Sequence, residues 1–334
     1  MKRLFHTPEG VRDVYSSECE QKLYLQSKLH RVFKKYKYQD IETPTFEFFD
    51  VFSKEVGTTP SKDLYKFFDR EGNTLVLRPD FTPSIARAAA MYFEEKDMPV
   101  RLCYQGSVFV NNSSYQGRLK ESTQMGVEFI GDSSVEADVE VISMAIEMLL
   151  DAGLTEFQIS IGQVDFFKAL IEEAQMSADT VEMLRTLISN KNTFGVQDLI
   201  NSLSIREGLK EAFFHLPQLF GTTDVLEKAR KFANNGKARD AIRRLSQIYT
   251  LMEAKGYEKY ISFDFGMLSK YEYYTGIIFH AYTYGTGEPI AKGGRYDNLM
   301  AHFGKPEPAV GFGLTMEQLM ISMSRQNIAI DPKE

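Results

Sequence analysis

The chain of 334 residues has no tryptophan and only two cysteines, Cys19 and Cys103. They stand in no paired or metal-ligand spacing, which excludes a disulfide framework or a cysteine-rich zinc module and fits a reducing cytoplasm. No apolar run approaches the ~18 residues of a spanning helix. The start, MKRLFHTPEGVRDVYSSE, carries basic residues with no apolar segment behind them, so it does not read as a signal peptide. Positive charge is in deficit, with 39 Lys and Arg against 46 Asp and Glu and a formal net charge of −7. Overall electrostatics therefore do not mark a nucleic-acid binder. The five histidines, at 6, 30, 215, 280 and 302, show no metal spacing. No Ser–His–Asp or Cys–His arrangement stands out. What is present is ordinary: 43% hydrophobic and 25% charged residues, enough for one large domain or two modest ones.

Periodicity orders the chain. Between Ser17 and Tyr38 the apolar residues Leu25, Leu29, Val32, Phe33 and Tyr36 fall on one helical face. DIETPTFEFF alternates like a strand, and Pro44 within it, unable to donate to a ladder, predicts an edge strand or bulge. YKFFD and TLVLR around REGN read as a hairpin. RPDFTPSIARAAAMYF opens a helix, with Thr82 as expected N-cap and Pro83 at the first helical position. VEADVEVISMAIEMLLDAG is a helix closed by Gly153. From Phe166 to Gly256 the patterns are helical, so residues 166–256 read as a helical insertion within a sheet-based domain of residues 1–165 and 257–324. Strands resume with ISFDFG, YYTGIIFHAY and AVGFGL. The prediction is an α+β fold with a mostly antiparallel sheet, since successive strands are too close for helical crossovers.

In STQMGVEF, Thr123, Met125, Val127 and Phe129 share the core face of a strand, while Gln124, Gly126 and Glu128 share the other. Gln124 and Glu128 stand roughly 13 Å apart at the backbone with a glycine notch between them. That face reads either as a solvated strand surface or as a ligand floor. The pattern recurs: Tyr274 with Gly276, Gly311 with Gly313, and Gly293 and Gly294 on a connecting turn in KGGRYD. Packing explains one such glycine more easily than four sites, so a small-molecule pocket is expected. Its polar groups, Asp80, Glu128, Gln124, Thr82 and Tyr274, suit a cationic, amino-bearing ligand rather than a phosphate. Asp80 also reads as a turn residue beside Pro79, and Tyr273 or Tyr274 as aromatic packing.

The strings TPEGVRDV, RPDFT, YQGSVF…GRLKESTQMGVE, YYTG, GGRYD and VGFGL occur in the order seen in histidyl-tRNA synthetases. The chain resembles that family over nearly its whole length, from about residue 7 to 320. The resemblance implies a class II synthetase-like six-stranded antiparallel sheet flanked by helices, and a homodimer built through the Pro44 strand. It implies that Asp80, Thr82 and Gln124 hold a histidine's ammonium end, that Glu128 and Tyr274 hold its imidazole, and that Tyr273, Gly293 and Gly294 line the pocket.

The departures from the family pattern carry as much weight. The arginine that grips the α-phosphate is replaced by Val110, and a glutamate two residues on by Asn112. A second arginine is replaced by Ser269 and the ATP-clamping third by Gln318. An arginine stabilising a transferring phosphoryl group is worth roughly 10³–10⁵ in rate. The loop FVNNSSYQGRLKE keeps only Arg118 and Lys120. Few residues follow Leu319, so no anticodon-reading domain is expected. This combination resembles the regulatory subunits of ATP phosphoribosyltransferase. The resemblance implies a non-catalytic partner of a short catalytic subunit in a higher hetero-oligomer, with histidine as allosteric ligand, no cofactor or metal, and no tRNA or membrane binding. The rival readings are an active histidine-activating enzyme and a stand-alone histidine sensor or RNA-binding relic. The latter leans on residues 226–245, with seven Lys or Arg against two acids, which read as a solvated helix or as a contact with a partner or RNA.

Overall fold

The computed structural model describes residues 5–52, 59–112, 118–268 and 273–332. The chain opens with α1 (Ser16–Lys35), which buries Leu25, Leu29, Val32 and Phe33 as the periodicity requires, and leaves Tyr36 half-buried. The proline-bearing segment splits into two short strands, β1 (Gln39–Asp40) and β2 (Phe46–Phe48). Pro44 falls between them, outside any strand, and its carbonyl accepts from Arg78 Nη1 at 3.3 Å. The expected hairpin is β3 (Lys66–Phe68) and β4 (Thr74–Leu77), which joins β2 in a three-stranded sheet. Next come α2 (Thr82–Tyr92), β5 (Val100–Phe109), β6 (Glu121–Ile130), α3 (Val135–Ala152) and β7 (Phe157–Gln163). Gly153 closes α3 in the left-handed region at φ 98°, as its position predicted.

The helical stretch comprises α4 (Val164–Ala174), α5 (Ala178–Ser189), α6 (Thr193–Asn201) and α7 (Glu207–His215). A two-residue strand, β8 (Phe220–Gly221), then precedes α8 (Asp224–Arg230) and α9 (Gly236–Ala254). The rest is β9 (Ile261–Asp264), β10 (Ile277–Thr283), β11 (Ala291–Arg295), β12 (Ala309–Thr315) and α10 (Met316–Arg325).

The main sheet runs β1-β5-β6-β12-β11-β10-β7-β9-β8. Six strands were expected and nine are found. The expected six, β5 through β7 in that order, form an unbroken antiparallel block. The additions are at the ends, where β1 joins β5 and β9 joins β7, both in parallel. β9 is the strand read in ISFDFG; β1 and β8, two residues each, are too short to carry periodicity.

One face of the block buries Met125, Val127 and Phe129 against α1 and α3, in a core that runs on without interruption into α4 to α9. A buried ion-pair group ties these layers together. Asp138 of α3 accepts from Arg295 of β11 at 2.7 Å and from Arg244 of α9 at 2.6 Å. The basic stretch 226–245 therefore points partly inward. Lys228, Arg230, Lys237 and Arg243 also meet carboxylates, so the stretch is no free cationic patch.

Candidate functional site

The opposite face of the block is the floor of a cleft of about 1740 Å³. That exceeds the ~300–1,000 Å³ typical of a small-molecule pocket. All but Gly294 of the eight expected ligand-binding residues line it: Asp80, Thr82, Gln124, Glu128, Tyr273, Tyr274 and Gly293.

Glu128 is the centre of the floor. It is 1% exposed; Oε1 accepts from the Thr82 hydroxyl at 2.6 Å and Oε2 from the Tyr296 hydroxyl. Burial, with a contribution from Asp80, pushes its carboxyl up to about 8 against the pull of both hydroxyl donors. Asp80 accepts the backbone N–H of Thr82 at 2.8 Å, and burial pushes its carboxyl up to about 7. Asp80 thus serves the start of α2 in the way expected of Thr82. The helix already includes Thr82, whose hydroxyl is turned to Glu128 instead. Gln124 Oε1 is buried with no partner among the described residues. Two protonatable carboxyls and an unsatisfied amide oxygen make a floor rich in acceptors, suited to a ligand presenting N–H donors and positive charge.

The glycines do a different job from the one expected. A β-carbon at Gly126 would stand 2.4 Å from the Tyr104 hydroxyl, one at Gly311 1.9 Å from Glu128 Oε2, and one at Gly313 2.1 Å from Gln124 Nε2. They make room for the site's own side chains, not directly for a ligand. Gly293 and Gly294 lie within β11, not on a turn. A β-carbon on Gly294 would meet the Tyr274 ring at 2.5 Å, which keeps Gly294 covered, whereas one on Gly293 would meet Phe279 of the core at 2.5 Å, so Gly293 lines the cleft with its backbone. Tyr274 and Gly276 precede β10, and Gly276 packs on Arg295, away from the floor. Tyr273 is 8% exposed, its ring tilted against Tyr274 at 4.4 Å and edge-on to Tyr296 at 6.0 Å in an apolar cluster beside the floor.

Val110, Asn112 and Gln318 line the same cleft beyond the floor. Asn112 donates to the Leu119 carbonyl at 3.3 Å, and Arg118 is engaged with Glu288. Ser269 lies outside the described residues. Tyr104 and Tyr296 were missed in the sequence, although both sit inside the strings YQGSV and GGRYD. Asp179, Glu182 and Arg185 of α5 also line the cleft, a contribution from the helical stretch that no local pattern signals.

Three comparisons bear on this arrangement. The family model for histidyl-tRNA synthetase matches residues 10–319. An ATP phosphoribosyltransferase regulatory subunit from Acetivibrio thermocellus is 43% identical over 98% of this chain and 78% of its own length. One from Ruminiclostridium cellulolyticum is 42% identical over 96% and 76%. A crystal structure of an ATP phosphoribosyltransferase regulatory subunit/histidyl-tRNA synthetase from Bacillus halodurans superposes with a TM-score of 0.89. It is 34% identical and covers 96% of this chain and 83% of that one. An antiparallel block with an acceptor-rich floor, a match over residues 10–319 and relatives above 40% identity converge: the chain belongs to the histidyl-tRNA synthetase-like family, among the ATP phosphoribosyltransferase regulatory subunits.

Proposed function

We propose that the chain is a non-catalytic regulatory subunit that assembles with a short ATP phosphoribosyltransferase catalytic subunit, is needed for its activity, and confers inhibition by histidine. One observation carries the reading. A buried polar floor is built around Glu128, while the cleft beyond it is lined by Val110, Asn112 and Gln318, where the resemblance expects phosphate-clamping charges.

In this reading the ammonium of histidine lies near Asp80, Thr82 and Gln124, and its imidazole near Glu128 and Tyr274, with Tyr273 and the β11 glycines shaping the wall. Asp80 and Glu128 release protons as the cationic groups arrive. Histidine regulates by binding two states of the complex unequally, each tenfold ratio amounting to about 1.4 kcal/mol. Self-association through the Pro44 segment is supported by the aromatic face of the three-stranded sheet, where Phe46, Phe48 and Phe67 are 52%, 56% and 37% exposed.

Histidine-dependent ATP–pyrophosphate exchange by the purified chain tests the loss of catalysis. No exchange, with histidine binding measurable by calorimetry, supports the reading; exchange at the rate of a synthetase assayed alongside overturns it.

A further inference from the structure

Away from the cleft, on the other face of the sheet, three elements bring together side chains that the sequence spacing does not connect. The parallel pairing of β1 with β5 sets Asp40 opposite Cys103. His30 reaches the same point from α1, its ring held edge-on to Phe33 at 6.2 Å. His30 Nε2 lies 2.6 Å from Asp40 Oδ1, and Cys103 Sγ lies 3.3 Å from that same oxygen. The three donor atoms all fall within 4.8 Å of one another.

We propose that His30, Asp40 and Cys103 form a binding site for one divalent transition-metal ion of the zinc type. Zinc holds sulfur at about 2.3 Å and nitrogen or oxygen at about 2.0–2.2 Å in tetrahedral geometry, which spaces neighbouring ligands by roughly 3.3–3.7 Å. Shifts of about 1 Å bring this trio into that arrangement. The ion takes the place of the proton on the sulfur, which goes to solvent, and the imidazole binds through Nε2 as the neutral tautomer with its proton on Nδ1, leaving a thiolate, a neutral imidazole and a carboxylate as ligands.

The donor set of one sulfur, one nitrogen and one oxygen selects zinc or cobalt over magnesium and calcium, which require oxygen. Lys34 occupies the other carboxylate oxygen, Oδ2, so Oδ1 stays turned toward the sulfur and the ring. A charge-assisted bond of that kind orients a ligating carboxylate from outside the coordination shell. The sulfur is buried while the Asp40 side chain is 62% exposed, which leaves a way in from solvent. Three protein donors leave a fourth position for water. Occupied, the site ties α1 to the end of the sheet, where the chain departs toward Pro44.

Cobalt titration of the metal-free full chain tests this. The expected result is a thiolate-to-cobalt charge-transfer absorption that saturates at one ion per chain and vanishes in Cys103→Ser. The half-exposed His30→Ala should fold normally and bind at least about tenfold more weakly, and zinc should raise the melting temperature of the wild type more than that of this variant. Absence of the thiolate band in the wild type, its persistence in Cys103→Ser (which would assign it to Cys19), or unchanged affinity in His30→Ala would each overturn the proposal.

Discussion

Gly311 lies directly across the ladder from Glu128, and a β-carbon on it would stand 1.9 Å from the Glu128 carboxylate and 2.4 Å from the Val127 carbonyl. The one carboxyl at the heart of the floor keeps its place because the neighbouring strand has no side chain there. Gly311→Ala should therefore displace Glu128, since the Val127 backbone cannot yield. The overpacking costs about 1–3 kcal/mol of stability. Histidine affinity should fall at least about tenfold, or about 1.4 kcal/mol. Calorimetry and thermal melts on the variant check both numbers; unchanged affinity would show that Glu128 does not hold the ligand.

Glu128 also sets a pH dependence. Its carboxyl titrates near pH 8 in the folded chain and near 4.3 when unfolded. Between those values the native state holds a proton that the unfolded state has lost, so stability falls as pH rises, by up to about 1.4 kcal/mol per unit from this group. Asp80, raised to about 7, adds to the same slope. Glu128→Gln removes the contribution of Glu128. Relative to wild type, the variant should gain stability as pH goes from about 5 to about 8 in denaturant unfolding; parallel curves would contradict the assignment.

Binding should release protons. At neutral pH Glu128, raised to about 8, holds its proton for the most part and Asp80, raised to about 7, holds one about half the time, and ligand cations beside them favour their ionised forms. Calorimetry of histidine binding at pH 7 in buffers of different ionisation enthalpy should report release of a fraction of a proton. Asp80→Asn should remove the Asp80 share and leave that of Glu128, and proton uptake would contradict the charge state described.

Asp138 predicts a purely structural loss. Asp138→Ala strands Arg295, which is 2% exposed, without its buried carboxylate, and frees Arg244 of α9 from the sheet layer. Removing one partner of a buried ion pair costs about 3–5 kcal/mol. Thermal melts should show that loss while histidine affinity of the folded fraction is unchanged, because Asp138 lies on the far side of the sheet from the floor.

The sequence makes long elements and side-chain alternation legible, and leaves their meeting points hidden. The faces of β6 follow directly from alternation, with Met125, Val127 and Phe129 in the core and Glu128 and Gln124 on the floor. The glycines were recognised as notches, but what fills them could not be read: Tyr104, Glu128 and Gln124 occupy those spaces from the neighbouring strand. Pairing across strands 180 residues apart has no local signature. The same limit hid Tyr296 beneath Glu128 and the meeting of His30, Asp40 and Cys103. β9 was legible in ISFDFG, whereas β1 and β8 were missed for a simpler reason, since strands of two residues are defined by the partner they join.

The most direct test combines the purified chain with a short-form ATP phosphoribosyltransferase catalytic subunit and follows phosphoribosyl transfer against histidine concentration, for wild type and Glu128→Ala. The account predicts that activity depends on this chain, that histidine inhibits the wild-type complex, and that the Glu128→Ala complex assembles and works but no longer responds. Activity indifferent to the chain, or inhibition of the Glu128→Ala complex with unchanged potency, would contradict it.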